Sequence, residues 1–472
     1  MLRKPLLSIL PALLLSIGAQ AATPGNDPAA LNKIRETALA SNWAYERLAD
    51  LTDLVGPRLS GSAGEAAAVV QVADAMRKLG AKVTLQPVKV PHWVRGLETG
   101  ELVEYRGRPA GISQKVVLTA LGGSGATPAA GLTAPVVVIR SMDELKARSS
   151  EVKGRIVLFD VRFDQSMADR GHAGQAYGQV TRFRGGGTRM AAEMGAVAAL
   201  VSSAGGANYR LPHTGSSGLQ DGARIPAAAV SVEDSLLMAR LATRGALTMK
   251  LTLTPQILPD ADSFNVIADW PGTDKADEIV IVSGHLDSWD LGTGANDDGA
   301  GVASAMAVVE TLKKLNYRAR RTIRVIAWAN EENGGRGAKA YLDANKETTA
   351  KHFAAIESDG GSGRPFGVRS SAPQSANRLF AGLTASLEAL SAGAFQRSDA
   401  LRTGDLHGLE EAGVPSFTPL IDTSDYFHYH HTAADTLDKV DPKNLKLHVA
   451  LMTSLTWYLA NMEQPIGRWT AQ

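Results

Sequence analysis

Residues 278–301, Glu-Ile-Val-Ile-Val-Ser-Gly-His-Leu-Asp-Ser-Trp-Asp-Leu-Gly-Thr-Gly-Ala-Asn-Asp-Asp-Gly-Ala-Gly, constrain this chain more than any other stretch. The apolar, β-branched run Ile279–Val282 predicts a buried strand. His285 and Asp287 follow at its end, and Asp297-Asp298 sits in a glycine-rich turn before an alanine-rich segment. Open α/β sheets bind ligands at the carboxyl ends of their strands. A histidine and carboxylates delivered there have the character of a metal site.

The same arrangement recurs three times further along. Thr322–Trp328 reads as a strand and leads into Asn330-Glu331-Glu332-Asn333-Gly-Gly. Phe353–Ile356 leads into Glu357-Ser358-Asp359-Gly-Gly, and Val414–Leu420 into a loop with His428, His430, His431 and Asp435. Helices are expected between these strands at 299–315, 338–345 and 376–390, with a closing helix at 445–462. The pattern predicts an α/β fold, a mixed open sheet flanked by helices, with ligand-type side chains at four strand ends.

The 472 residues contain no cysteine. Disulfides, thiolate zinc sites and a cysteine nucleophile are excluded together. Histidines with carboxylates suit zinc or a similar divalent ion in a hydrolytic site. Two metals about 3.5–4 Å apart need a ligand that touches both, and a carboxylate can do so. Asp297, in the tight turn, is the candidate bridge. Of the adjacent Glu331 and Glu332, one can bind metal while the other serves as general base. Asp287 is placed to orient the His285 imidazole. Trp289 and Trp328 read as packing, and His92, His172, His213, His352, His407 and His448 as structural or solvated.

Forty-nine basic residues against 48 acidic ones leave a net charge of +1. Neither nucleic acid nor a charged membrane surface is implied as a partner. Arg3 and Lys4, the apolar run 6–17 and Ala19-Gln-Ala21 form an export signal, with cleavage expected near Ala21. The apolar run is too short to span a bilayer. The mature protein is expected in a bacterial periplasm or medium. Residues 126–257 have their own alternation of short apolar strands (136–139, 156–159, 197–201, 227–232) and helices (188–194, 233–243). They read as an inserted domain. The remainder, 27–125 and 258–472, forms the catalytic domain, and its second part carries all the metal motifs. The turn-rich loop 51–62 shows no evident chemistry.

His285-Leu-Asp287-Ser-Trp, Asn296-Asp297-Asp298-Gly, Glu331-Glu332-x-Gly-Gly, Glu357-Ser-Asp359 and His431-Thr-x-x-Asp435-Thr resemble the ordered motifs of the co-catalytic zinc exopeptidases. That family includes bacterial leucyl aminopeptidases and glutamate carboxypeptidases. Residues 55–62, 90–96, 212–215 and 283–290 resemble its plasma glutamate carboxypeptidase branch. The resemblance implies two zinc ions per chain. His285 and Asp359 would bind one, Glu332 and His431 the other, with Asp297 as bridge and Glu331 as general base. It also implies a cis peptide at Asp297–Asp298, a protease-associated character for the insertion, and a homodimer. His430 stands where some relatives carry a carbonyl-polarising tyrosine, and is expected to stabilise the oxyanion. The substrate expected is a dipeptide or short peptide with a free N-terminus. The alternatives are a single-zinc glutaminyl cyclase and a binding protein on an inactive peptidase scaffold.

Overall fold

The computed structural model describes residues 25–219, 224–399, 401 and 404–470. The expected export segment, residues 1–21, lies outside the described residues. Among them, no helix is long and apolar enough to cross a membrane.

Eight strands form the first sheet, in the order Lys82–Val94, Gln256–Trp270, Arg321–Trp328, Lys275–His285, His352–Glu357, Ser416–Ile421, Pro365–Ser370 and Ala394–Arg397. The run from Arg321–Trp328 to Ser416–Ile421 is parallel, while Gln256–Trp270 and Pro365–Ser370 join antiparallel on either side. This is the mixed α/β sheet that the alternation of strands and helices predicts. Val280, Ile281 and Val282 are fully buried, as expected of a parallel strand covered on both faces. Each such side chain contributes about 1.5–3 kcal/mol by leaving water.

Helices Ala300–Leu315 and Pro442–Asn461 pack into the same core and are buried nearly all round. Asp441 caps the latter by accepting from Lys443 N–H, with Pro442 at its first turn. Helix Ala63–Leu79 starts in a capping box: Ser62 Oγ accepts Glu65 N–H, and Glu65 Oε2 accepts Gly61 N–H. It ends where Gly80 takes φ +94°. The helix expected over 376–390 is broken into short turns at 374–380 and 388–390 around Ala381–Leu387.

The second sheet has the order Gln114–Val116, Glu98–Tyr105, Leu247–Leu253, Leu132–Ile139, Ile156–Phe159, Ala198–Ser202, Ala227–Val230 and Leu118–Ala120. Its strands begin at residue 98, ahead of the expected boundary at 126. Glu98–Tyr105 pairs with Leu247–Leu253 along seven residues, a long-range pairing that no local pattern announces. The strand Gln256–Trp270 likewise crosses the expected boundary at 257 and pairs with Lys82–Val94 in the first sheet.

Candidate metal centre

The parallel strands share one carboxyl edge, and the predicted site residues converge there. Gly284, just before His285, admits the approach: a Cβ there would lie 2.4 Å from Asp298 Oδ2. Asp298 uses its two oxygens on backbone, accepting His285 N–H at 3.0 Å and Gly301 N–H at 3.1 Å. It ties the strand end to the helix start. Asp297 is thereby the member of the pair that faces the site, and the peptide between the two is cis.

Asp297 Oδ1 lies 3.2 Å from His285 Nε2, and Asp297 Oδ2 lies 3.2 Å from His431 Nε2. His285 Nε2 is also 3.6 Å from Asp359 Oδ1, and His431 Nε2 is 2.9 Å from Glu332 Oε2. Two donor triads that include Asp297 result, His285/Asp297/Asp359 and Asp297/Glu332/His431, each compact enough for one ion, and an all-imidazole group, His213/His430/His431, lies alongside. The two triads share Asp297, with a different oxygen in each. Asp297 Oδ2 and Glu332 Oε1 are buried without a hydrogen-bond partner. Buried carboxylate oxygens of this kind need a cation or a donor. The donor set, imidazole nitrogen with carboxylate oxygen and no thiolate, fits zinc.

The protonation pattern points the same way. Burial alone would lower the His285 imidazole, yet Asp297 and Asp359 hold it well above its usual range. Burial likewise works against protonated His431, and Glu332 with Asp297 outweighs it. Burial pushes Glu332 up to about 7, reinforced by Asp297. For Asp297, burial is outweighed by His430, His285 and His431, and its carboxyl stays well below the usual range. A divalent cation here would compete with the protons that His285, His431 and Glu332 favour.

Neighbouring groups fix these side chains. His285 Nδ1 bonds the backbone carbonyl of Asp287 at 2.9 Å. The Asp287 carboxylate, expected to orient that imidazole, stands 3.9 Å from it. It instead accepts Glu331 N–H at 3.0 Å, Glu332 N–H at 3.3 Å and the Ser60 hydroxyl at 2.8 Å. A side chain two residues along the chain curls away from the imidazole, while the carbonyl of the same residue points at it. Asp435 accepts the N–H groups of Asn296 and Asp297 at 2.8 and 3.1 Å, locking the bridge turn to the histidine loop. Glu331 is not in either triad. Burial pushes its carboxyl well above the usual range, with Asp359, Glu332 and Asp287 adding to the effect.

Three contributors were given no role by the sequence, although 55–62 and 212–215 lie in stretches that resemble the family. Arg58, from the loop 51–62, is fully buried and donates to the carbonyls of Leu286, Thr293 and Gly294. Ser60 of the same loop holds Asp287. His213, read as structural or solvated, lies between strands Ala198–Ser202 and Ala227–Val230 of the second sheet, whose strands and connections form the second unit, and its Nε2 is 3.0 Å from His430 Nδ1. A Pro-Arg-Leu-Ser turn and an isolated histidine look the same whether or not they meet a site. Of the histidine cluster, His431 joins Glu332 and Asp297, His430 stacks on it at 3.7 Å, and His428 turns aside to Gln165. Trp289 and Trp328 are buried packing residues, as read.

A cleft of about 600 Å³ opens beside Asp359, between residues 168–174 of the second unit and Phe366, Tyr426 and Phe427 of the first. That volume suits a small ligand.

The profile of peptidase family M28 matches residues 265–456, the stretch that holds the five candidate donors of the two triads. Human carboxypeptidase Q is 35% identical over 435 residues, 91% of this chain and 88% of its own length. Aminopeptidase YwaD of Bacillus subtilis (strain 168) is 27% identical over 73% of this chain and 67% of its own. The crystal structure of a peptidase M28 precursor from Shewanella amazonensis SB2B superposes with a TM-score of 0.87 at 35% identity, over 93% of this chain and 97% of that one. A zinc aminopeptidase from Bacillus subtilis superposes with a TM-score of 0.65 over 91% and 98%, a likeness of fold at 20% identity. With this identity sustained over nine-tenths of its length, the chain belongs to peptidase family M28 and is a zinc metallopeptidase.

Proposed function

We propose that this chain is a two-zinc exopeptidase that hydrolyses dipeptides or short peptides with a free N-terminus. The observation that carries the reading is Asp297, which places one carboxylate oxygen in each of two donor triads. His285 and Asp359 would hold one ion, Glu332 and His431 the other, and Asp297 both. Bound there, zinc supplies a Lewis acid for the scissile carbonyl and makes water acidic enough to attack near neutral pH.

The chain's own residues handle the protons. Glu331, held at its backbone by Asp287, accepts a proton from the attacking water and passes it to the departing amine. A carboxyl raised by burial is suited to both steps. His430 Nε2 lies 3.3 Å from Asp297 Oδ2, next to the shared ligand, and donates to the carbonyl oxygen as charge develops there. The cleft beside Asp359 accommodates the rest of a short peptide.

A single-zinc cyclase or an inactive binding scaffold would lack one donor set, and both sets are present. The names of the relatives differ over the end attacked, a carboxypeptidase and an aminopeptidase. Export to the periplasm or medium rests on residues 1–21, and the homodimer on the family resemblance. The deciding experiment is metal analysis with a dipeptide-library assay. Two zincs per chain and chelator-sensitive hydrolysis are expected. One zinc, or none with no turnover, would sink the reading.

A further inference from the structure

The segment 212–215 belongs to the second unit, between strands Ala198–Ser202 and Ala227–Val230. It nevertheless pairs with the histidine loop of the first. Thr214 N–H donates to the His431 carbonyl at 2.9 Å, and His431 Nδ1 lies 3.3 Å from the Thr214 carbonyl. Beside this pair, His213 Nε2 and His430 Nδ1 are 3.0 Å apart, with both residues under 10% exposed. Arg184 steadies the segment from outside. Its Nη1 donates to the Thr214 carbonyl and to the Tyr177 hydroxyl, and the Tyr177 ring stands edge-on to His430 at 5.0 Å.

Two imidazole nitrogens at this distance share one proton, so their tautomers are coupled. His430 Nε2 faces Asp297 Oδ2, where a lone pair would meet the lone pairs of a carboxylate. The proton therefore belongs on Nε2. His430 Nδ1 is then an acceptor, and the donor it requires is His213 Nε2–H. The reverse arrangement would leave His430 with no proton to offer towards the metal centre.

We propose that His213 is a positioning residue of the active site, supplied by the second unit: its Nε2–H holds His430 in the tautomer that presents Nε2–H to the substrate's carbonyl oxygen. This rests on His430 being that donor, as in the function proposed above. It makes the second unit part of the catalytic apparatus, acting through one hydrogen bond as well as by shaping the cleft.

The test uses the full-length, zinc-loaded chain, with kcat, KM and zinc content measured for His213→Phe, His213→Gln and His430→Phe. Partners that orient a site histidine typically contribute 10- to 100-fold. His213→Phe should therefore lower kcat by about 10- to 100-fold, with KM and zinc content little changed. His213→Gln, whose amide nitrogen reaches about as far as Nε2, should recover most of kcat. His430→Phe should lose at least as much as His213→Phe. A loss in His430→Phe with none in His213→Phe overturns the positioning role and leaves His430 as donor. No loss in His430→Phe removes the donor, and the proposal falls with it. Equal losses in the Gln and Phe variants would make His213 a packing residue. Should His213→Phe fail to fold, His213→Asn replaces it, since the shorter amide falls short of His430. Equal kcat in Asn and Gln then overturns the proposal.

Discussion

Asp287 Oδ1 accepts the backbone N–H of Glu331 at 3.0 Å, joining the end of strand Lys275–His285 to the loop after Arg321–Trp328. The same carboxylate takes Glu332 N–H and the Ser60 hydroxyl. It sets the spacing between Glu331, the proposed general base, and Glu332, a proposed metal ligand. His285 keeps its orientation by a separate bond, to the Asp287 carbonyl.

Asp287→Ala should consequently leave zinc on the His285 side in place, because that carbonyl survives the substitution. Activity should fall about 10- to 100-fold, as is typical when a group that orients a site is removed. Zinc analysis beside dipeptide kinetics checks both halves. Zinc loss confined to the His285 side would show that the carboxylate acts on the imidazole after all.

Glu331→Gln keeps the size of the side chain and removes the proton acceptor. General base catalysis contributes about 10²–10⁴-fold. The variant should lose kcat on that scale and still bind both zincs, since Glu331 lies in neither triad. Retained turnover would require another base.

Asp297→Asn and His285→Ala separate a shared ligand from an unshared one. The former should weaken both zincs together. The latter should mainly empty the site formed with Asp359. Competition with a graded series of chelators distinguishes the two, and independent loss of the ions in Asp297→Asn would contradict a bridge.

Arg58→Met removes a buried guanidinium that satisfies the carbonyls of Leu286, Thr293 and Gly294 and sits among Asp435, Asp287, Asp298 and Asp297. Stranded buried acceptors cost about 1–3 kcal/mol each. A fall of several kcal/mol in stability is expected, read as a lower Tm of the zinc-loaded chain. An unchanged Tm would mean that water replaces the guanidinium.

His352 and His448 are buried, and burial lowers both imidazoles from 6.5 to about 4. The unfolded chain takes up these protons near 6.5 while the folded chain resists them. The stabilisation is therefore complete above that pH and is lost as pH falls through about 4. It amounts to roughly 3 kcal/mol per histidine at most. Tm should decline on acidification below 6.5, and less steeply in His448→Leu. Parallel pH profiles for the two proteins would count against this assignment.

The amino-acid sequence by itself determined the α/β character and the buried central strands, and it placed ligand-type residues at four strand ends, from which the family resemblance named the five candidate donors. Each is a local matter: a β-branched run, a helical period, or a ligand type placed at a strand end. Alternation likewise led to the expectation of an inserted domain over 126–257. The tertiary structure alone decided which strands before residue 126 join the second sheet, because pairing Glu98–Tyr105 with Leu247–Leu253 joins segments some 150 residues apart. It alone gave Arg58, Ser60 and His213 their partners, since those partners are set by where the chain returns and not by neighbouring residues. It also reassigned Asp287, since proximity in sequence to His285 says nothing of where a carboxylate turns once backbone donors of Glu331 and Glu332 are within reach. Short-range periodicity follows from backbone geometry and is written in neighbouring residues, whereas hydrogen-bond partners across a site depend on the folded path of the whole chain.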